Sequence, residues 1–370
     1  MKYSIPIYYF FFFLIACEKI EKKSESLQNI TLDYATGFTI EYVDTYKKIH
    51  IKKAENENST FLLVPKNRKV PANETETQII RTPIEKIILT STTHIPILEQ
   101  LGVAHSLVGF PDPNYISSKK TRKRIEENKV QNIGNSQTIN TELVLALQPD
   151  LFMGFESENN NKAIQTIKNS GIPVLNNRDW QEQTPLGRAE WIRLFGALFG
   201  KEKEADSIFN SIKTAYLATK EIATKATTSP SVFSGALFQD VWYVPAGDSF
   251  VAQYFKDAHT NYLWKDSKGR GSLALNFENV LDKAKDADFW IGCDTYKNKE
   301  DLMAASEHYL QFTAFKENTY TYGHLRGETE GLLYYEIGPL RPDLILKDIL
   351  KITHPELLPN YTPYFFKKLE

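Results

Sequence analysis

Seven histidines and two cysteines are the side chains of this 370-residue chain best suited to metal or nucleophilic chemistry, and their spacing supports neither. His50, His94, His105, His259, His308, His324 and His354 are scattered without ligand spacing, and no His-Glu-x-x-His is present. Cys17 and Cys293 are too few for a disulfide framework or a thiolate metal site. Cys293 follows the apolar run Asp288 to Gly292 with no basic neighbour in sequence to lower its pKa, and reads as a buried or cleft-edge thiol. The segment Gly196 to Glu202 is one residue short of a phosphate loop and ends in Glu where a hydroxyl is needed. No Gly-x-Gly-x-x-Gly follows a strand, and no Gly-x-Ser-x-Gly supplies a nucleophile elbow. As a catalyst the chain is poorly equipped.

Aromatic and charged residues at the ends of expected strands are what remain. In the first half they are Ser91 to His94, Phe110 to Tyr115 and Phe155 to Ser157; in the second, Phe238 to Tyr243, Asp294 to Tyr296 and His324 to Arg326. Loops that follow strands in an open α/β sheet face the crevice where ligands bind, so two facing lobes would gather these rings around one cleft. Trp242, Tyr334 and Tyr335 read equally well as packing residues. His94 and Glu156, both after first-lobe strands, leave open a metal-binding enzyme on the same scaffold. A zinc or manganese carrier would need several histidines and carboxylates converging, against which the dispersed histidines argue.

With 44 Lys and Arg against 46 Asp and Glu, the net charge of −2 gives no electrostatic reason to expect nucleic acid as a partner. Hydrophobic residues at 42% and charged residues at 24% exclude wholesale disorder and a polytopic membrane protein. The N-terminus is different in kind. Lys2 precedes an apolar run from Tyr8 to Ile15, too short to cross a ~30 Å hydrocarbon layer at ~1.5 Å per residue, so residues 1–16 read as a secretory signal. Leu14 to Cys17 resembles a bacterial lipobox, which implies lipid attachment at Cys17. Residues 17–29 are polar, as a tether from a membrane surface should be.

The elements that would position these groups follow from periodicity. Phe38, Ile40, Tyr42, Ile49, Ile51 and Phe61 to Val64 alternate as in a small antiparallel meander, and Pro65 to Ile80 reads as a connection, giving an N-terminal extension over 30–80. Strands and helices then alternate over 81–184, with strands at Lys86 to Thr90, Asp150 to Gly154 and Ile172 to Leu175. Residues 185–226 carry no strand signal and read as a helix Gly187 to Phe199 followed by a long amphipathic helix through Ala205, Ile208, Phe209, Ile212 and Tyr216. The alternation resumes over 227–370, with a strand at Val241 to Val244 and a helix at Leu302 to Leu310. The fold class expected is α/β: two Rossmann-like lobes with parallel-type sheets, bridged by a long helix and preceded by a β meander.

Several of these segments carry a family resemblance. Ile87 to His94 followed by a helix and Gly102, Asn132 to Gly134, Asn140 to Leu151 with its helix, Pro-Asp-Leu and strand, Pro185 to Trp191, Trp242 to Gly247 and Arg341 to Leu344 are similar to the substrate-binding proteins of ABC importers for iron-siderophores, haem and cobalamin. Ala35 to Val64 resembles the N-terminal extension of a lipoprotein branch of that class. The resemblance covers about residues 33–370 and implies two α/β lobes holding a ligand between them. It also implies no turnover, no resident cofactor, permease and ATPase subunits as partners, and a lipid-anchored place facing the periplasm or cell exterior.

In that class one surface Glu per lobe docks into an Arg pocket of the permease. Glu142 and Glu278 match those positions, although either reads as an ordinary solvated helix glutamate. The ligand implied is an iron-siderophore-type metal chelate, with a corrinoid such as vitamin B12, or haem, as the alternative. The candidate ligand-binding set is Thr92, His94, Tyr115, Trp180, Trp242, Tyr243, Tyr296, Arg270 and Arg326, with no metal site. A ferric chelate is favoured because Arg178, Arg270, Arg326 and Arg341 would be available to an anionic ligand; the aromatic lining would suit either ligand.

Overall fold

In the computed structural model, residues 31–43, 45–52, 58–71, 78–135, 137–155 and 162–370 are described. The signal segment, Cys17, the tether, Glu156 and Ser157 lie outside the described residues.

Period-two alternation gives the first sheet its buried face. The strands Phe38–Val43, Tyr46–Lys52 and Asn58–Pro65 pair antiparallel, with Phe38 opposite Ile51 and Ile49 opposite both Ile40 and Phe61. Their side chains share one face, and all five are buried. The expected connection after Pro65 ends in a fourth strand, Gln78–Thr82, which runs parallel to Asn58–Pro65. A meander reading missed it because a parallel partner needs no hairpin signal.

The first lobe is an all-parallel sheet in the order Gln131–Asn132, Leu107–Phe110, Ile87–Leu89, Leu151–Phe155, Val174–Asn177. Its first strand in sequence, Ile87–Leu89, is buried throughout and sits between later strands on both sides. The second lobe repeats this arrangement. Ser231–Phe233 lies between Asn261–Tyr262 and Phe289–Ile291, with Thr319–Thr321 beyond and Lys367–Lys368 closing the edge antiparallel. In each lobe the order therefore reverses at the first strand, and a crevice opens at the carboxyl ends there.

The strand at Val241 belongs elsewhere. Leu237–Phe238, Val241–Pro245 and Ser272–Leu275 form a separate antiparallel sheet, entered through a two-residue hairpin with Gln239 at φ 56°. Only alternate residues of Val241–Pro245, Trp242 and Val244, are buried, as befits a sheet covered on one side.

Between the lobes run Pro185–Glu190, Ile192–Phe199 and the 22-residue helix Glu202–Ala223. The single helix expected from Gly187 to Phe199 is thus broken at Trp191. Gly200, in the left-handed region at φ 65°, ends the second helix, and Gly196 lets it cross the third: a Cβ at Gly196 would fall 2.7 Å from the Ala205 Cβ. The long helix carries Ala205, Phe209 and Ile212 into the first-lobe core and Tyr216 into the second-lobe core, so one rigid rod of ~33 Å belongs to both. The closing helix Pro342–Thr353 packs along it. The helix expected at Leu302 to Leu310 is Lys299–Ala305 and then a 3-10 turn, Glu307–Gln311, separated by extended backbone at Ser306.

Two buried carboxylates fasten residues 33–37 to this spine. Glu190, fully buried, accepts the backbone N–H groups of Asp33, Tyr34 and Ala35 at 2.9, 2.7 and 2.7 Å and pairs with Arg193 at 2.6 Å. Glu182 accepts Thr36 N–H at 2.9 Å, Gly37 N–H at 2.8 Å and the Trp191 indole at 3.0 Å. Charge-assisted bonds of this kind are among the stronger contributions a folded chain makes. Removing one partner of a buried pair exposes the other to an unmatched desolvation cost, so Glu190→Ala should lower stability by about 3–5 kcal/mol in denaturant unfolding. Limited proteolysis of the variant should cut first near residues 31–37, and unchanged stability would remove Glu190 from this role.

Candidate interlobe binding cleft

The loops at the two sheet reversals meet. A cavity of about 370 Å³ is lined by Thr93 of the first lobe and by Ser234, Asp294, Tyr254, Tyr322 and Tyr334 of the second, with Arg188 from the spine. A neighbouring cavity of about 530 Å³ takes Thr90, Ser91, Thr92, Phe110 and Tyr115 from the first lobe and Arg326 and Glu330 from the second. Tyr335 lines both. Thr90 to Thr93 follow Ile87–Leu89, Ser234 follows Ser231–Phe233, and Asp294 follows Phe289–Ile291, which is why the topology delivers them here.

Aromatic surface distinguishes this cleft. Of the seven large hydrophobic side chains exposed among the described residues, Tyr115, Phe238, Tyr243 and Tyr335 line the two cavities, at 67, 65, 44 and 48% exposure. Water-facing rings grouped in one concavity are unfavourable unless something covers them. Behind them, Tyr322 stacks on Tyr334 at 4.4 Å, and the Tyr322 and Tyr335 hydroxyls are 2.8 Å apart. Burial pushes the phenol pKa values of Tyr322, Tyr334 and Tyr335 upward, so these groups meet a ligand as neutral hydrogen-bonding phenols. Arg188 lies over the Phe250 ring at 4.3 Å and pairs with Asp179 at 3.2 Å. Asp294 sits at φ 69°, and burial raises its carboxyl against the opposing pull of the Thr295 N–H and Arg326.

Of the residues singled out in the sequence, Thr92, Tyr115, Tyr243 and Arg326 line the cleft. The Arg326 guanidinium is already engaged, donating to the carbonyls of Gly323 at 2.8 Å and Thr295 at 3.0 Å. Two assignments need correction. Trp242 is wholly buried among Phe233, Trp290, Tyr309 and Phe312, all within 6.2 Å between ring centres, and its indole donates to the Ser234 carbonyl. It packs the second-lobe core because its strand alternates and Tyr243, not Trp242, takes the cleft side. His94 is buried against Phe195, and burial pulls its pKa down to about 4, leaving a neutral ring with no face to the cleft.

Trp180, Tyr296 and Arg270 line neither cavity. Trp180 is half-buried in the turn Asp179–Gln181, Tyr296 is half-buried against the second-lobe core, and Arg270 is exposed with its guanidinium 3.5 Å from the Gln181 carbonyl. Arg178 donates to the Gln181 side chain, and Arg341 makes a two-bond pair with Asp343. Arg188, Tyr254 and Tyr322 were missed as cleft residues. Tyr322 directly follows the strand Thr319–Thr321 and was open to the strand-end argument, whereas Tyr254 and Arg188 reach the cleft from helices. Cys293 is buried, and burial pushes its thiol pKa up. Among the described residues no group of three or more His, Cys, Asp or Glu is placed to hold a metal ion.

Glu142 and Glu278 occupy matching places. Each is exposed at the second position of a helix, Thr141–Leu147 or Phe277–Ala284, capped by an Asn whose side chain accepts the third N–H: Asn140 from Leu143, Asn276 from Asn279. After each helix an Asp precedes a strand and reaches back to the start of its lobe's first strand. Asp150 accepts the Glu85 and Lys86 N–H groups, and Asp288 accepts that of Ser231.

Comparison with known proteins identifies this architecture. Residues 87–323 match the family described as periplasmic binding protein. An uncharacterized lipoprotein of Methanocaldococcus jannaschii is 27% identical over 322 residues, 83% of this chain and 75% of that protein. The uncharacterized ABC transporter substrate-binding lipoprotein YvrC of Bacillus subtilis is 27% identical over 197 residues, 51% of this chain and 59% of its own length. Among solved structures, Helicobacter pylori CeuE with Ni(II) bound has a TM-score of 0.59 at 18% identity, covering 76% of this chain and 88% of that one. The periplasmic haem-binding protein RhuT from Roseiflexus has 0.56 at 18%, covering 74% and 99%. A possible iron-binding protein from Staphylococcus epidermidis has 0.57 at 19%, covering 74% and 100%. With the first-lobe sheet, the helical spine and the parallel strands of the second lobe inside the matched region, this chain belongs to the periplasmic binding protein family.

Proposed function

We propose that this protein is the substrate-binding lipoprotein of an ABC importer, capturing a metal chelate of the iron-siderophore type between its lobes and delivering it to the permease without chemical turnover. The observation that carries the reading is the set of water-facing rings, Tyr115, Phe238, Tyr243 and Tyr335, in cavities to which both lobes contribute. A ligand that fills the cleft covers rings from both lobes at once, so its capture favours closure. The names of relatives add support: YvrC is described as an ABC transporter substrate-binding lipoprotein, and the solved structures include possible iron-binding, haem-binding and Ni(II)-bound proteins.

A corrinoid or haem is the second reading, and a specific observation favours it. Of the four arginines offered for an anionic chelate, Arg178, Arg326 and Arg341 are engaged within the protein and Arg270 lines neither cavity, while tyrosine is the most frequent residue type lining the cleft. Arg188 is the remaining cationic wall residue for a charged ligand, held beside Asp179.

Titration of the purified protein with a ferric siderophore, haemin and cyanocobalamin, followed by tryptophan fluorescence, separates these readings. A saturable response to the ferric siderophore is expected, weakened about tenfold by Tyr115→Ala or Tyr335→Ala if each ring contributes about 1.4 kcal/mol. Tight corrinoid binding with no response to the ferric chelate would overturn the iron assignment and leave the transport role standing. For docking, Glu142→Lys combined with Glu278→Lys should leave ligand affinity nearly unchanged and abolish uptake, because it sets like charges against the permease arginines; uptake at the wild-type rate would sink the pairing. For the anchor, metabolic labelling with a palmitate analogue should be lost in Cys17→Ala, and label that persists rules out attachment at that sulfur.

A further inference from the structure

One side of the cleft is closed by a strap. After the strand Thr319–Thr321 the second lobe sends residues Gly323 to Leu332 over the first-lobe loop Pro113 to Ser118, and then forms the short helix Leu333–Ile337. Thr329 Oγ1 donates to the Asn114 carbonyl at 2.6 Å. Gly327 and Gly331 touch the loop so closely that a Cβ on the first would fall 2.7 Å from the Ser117 Cα, and one on the second 2.5 Å from the Tyr115 carbonyl oxygen. The strap is braced internally by the Gly327 N–H donating to the Gly331 carbonyl at 2.8 Å, and by Arg326 on the Gly323 and Thr295 carbonyls.

Its end is fixed by Glu336. This carboxylate is 2% exposed and accepts the backbone N–H of Ser117 at 2.6 Å and that of Ser118 at 2.9 Å, from residues 219 and 218 positions away in the other lobe. The loop carries Tyr115 and the helix carries Tyr335, two of the exposed rings of the cleft. We propose that Glu336 is a positioning residue of the cleft, clasping the loop that bears Tyr115 to the helix that bears Tyr335 and so setting the spacing of the lobes on that side.

The charged surroundings decide how the clasp responds to pH. The helix Leu333–Ile337 packs against the turn Thr92–His94 and the helix Ile95–Gln100. From these, Glu99 faces Glu336 as a like charge and itself accepts the Ser118 and Thr121 hydroxyls, while His94 is neutral. The loop contributes Tyr115 as its ionisable side chain; on the strap Arg326 is tied to carbonyls and to Glu330, Glu328 is the remaining carboxylate, and burial pulls the His324 pKa down, which favours its neutral ring. Burial, assisted by Glu99 and opposed by the two N–H bonds, raises the Glu336 carboxyl from 4.5 to about 7. Once unclasped and solvated, the same group returns toward its ordinary value. The clasped form therefore holds the proton more tightly: acidification through 7 strengthens it, and raising the pH through 7 weakens it, because the ionised carboxylate gains hydration on opening.

Hydrogen exchange of the peptide covering residues 113–118, expressed as protection relative to intrinsic exchange, tests this in the intact protein. Wild-type protection should fall about tenfold or more between pH 5.5 and 8, and Glu336→Gln should remove the pH dependence. A flat wild-type profile, or the same fall in Glu336→Gln, overturns the proposal. Should Glu336→Gln fail to fold, Glu99→Gln decides: loss of the like charge should move the fall to lower pH and make it smaller, and an unmoved profile overturns the clasp. No ligand is needed, so failure here leaves the transport reading untouched.

Discussion

A carboxylate taken out of water loses hydration worth several kcal/mol and must recover it from donors inside the protein. In this chain the donors are chiefly runs of backbone N–H groups, and the joints of the molecule are built on that match. Glu182 and Glu190 gather the N–H groups of residues 33–37 onto the start of the spine. Asp348, fully buried in the closing helix, gathers those of Tyr364, Phe365 and Phe366 and the Tyr361 hydroxyl, fixing the C-terminal tail that supplies the last edge strand. Glu336 joins lobe to lobe in the same way. The joints at Glu182, Glu190 and Glu336 connect segments far apart in sequence, that at Asp348 segments 13 to 18 residues apart, and each loses its donors if one partner shifts, so register is enforced more sharply than apolar contact alone would enforce it.

Residues 33–37 and the C-terminal tail are both fastened to spine-packed helices, and the lobes are held by the helix they share. The long helix Glu202–Ala223 contributes to both cores, and Pro342–Thr353 packs along it. Each lobe then repeats a single plan, with a first strand flanked on both sides, an Asn-capped helix presenting a Glu, and an Asp tying the next strand to the first. Repetition places the reversal of strand order at corresponding points, and the loops that follow face each other across one cleft. The position of the binding region is thus a consequence of topology, while its tyrosine-rich character comes from the side chains those loops and the strap carry.

Much of this was legible in the residues. Parallel strands such as Ile87–Leu89 and Leu151–Phe155 are short apolar runs, the first sheet shows its alternation at Phe38, Ile40, Ile49 and Ile51, and the three-and-four spacing from Ala205 to Tyr216 marks the spine. Strand-end reasoning found the loops that hold Thr92, Tyr115 and Asp294; Tyr243, placed among them, lies inside a strand of the separate antiparallel sheet. Aromatic type alone misplaced Trp242, since alternation gives a strand two faces but does not say which one meets a cleft; the hairpin at Gln239 and the sheet it enters settle that. Arginine count misled for a related reason, because Arg341 finds Asp343 two residues on and Arg326 finds carbonyls within its own strap and at Thr295.

Local periodicity, the absence of catalytic and ligand spacings, and the order of strands and helices were properties of the sequence by itself, since each is set by neighbours within a few turns or pleats of the chain. The fourth strand of the first sheet, the burial of His94 and Trp242, and the carboxylate joints at Glu182, Glu190, Asp348 and Glu336 were decided only by the tertiary structure. A glutamate destined for backbone N–H groups 219 residues away carries the same side chain as one on the surface, and only the packing of the whole molecule withdraws it from water and supplies its donors.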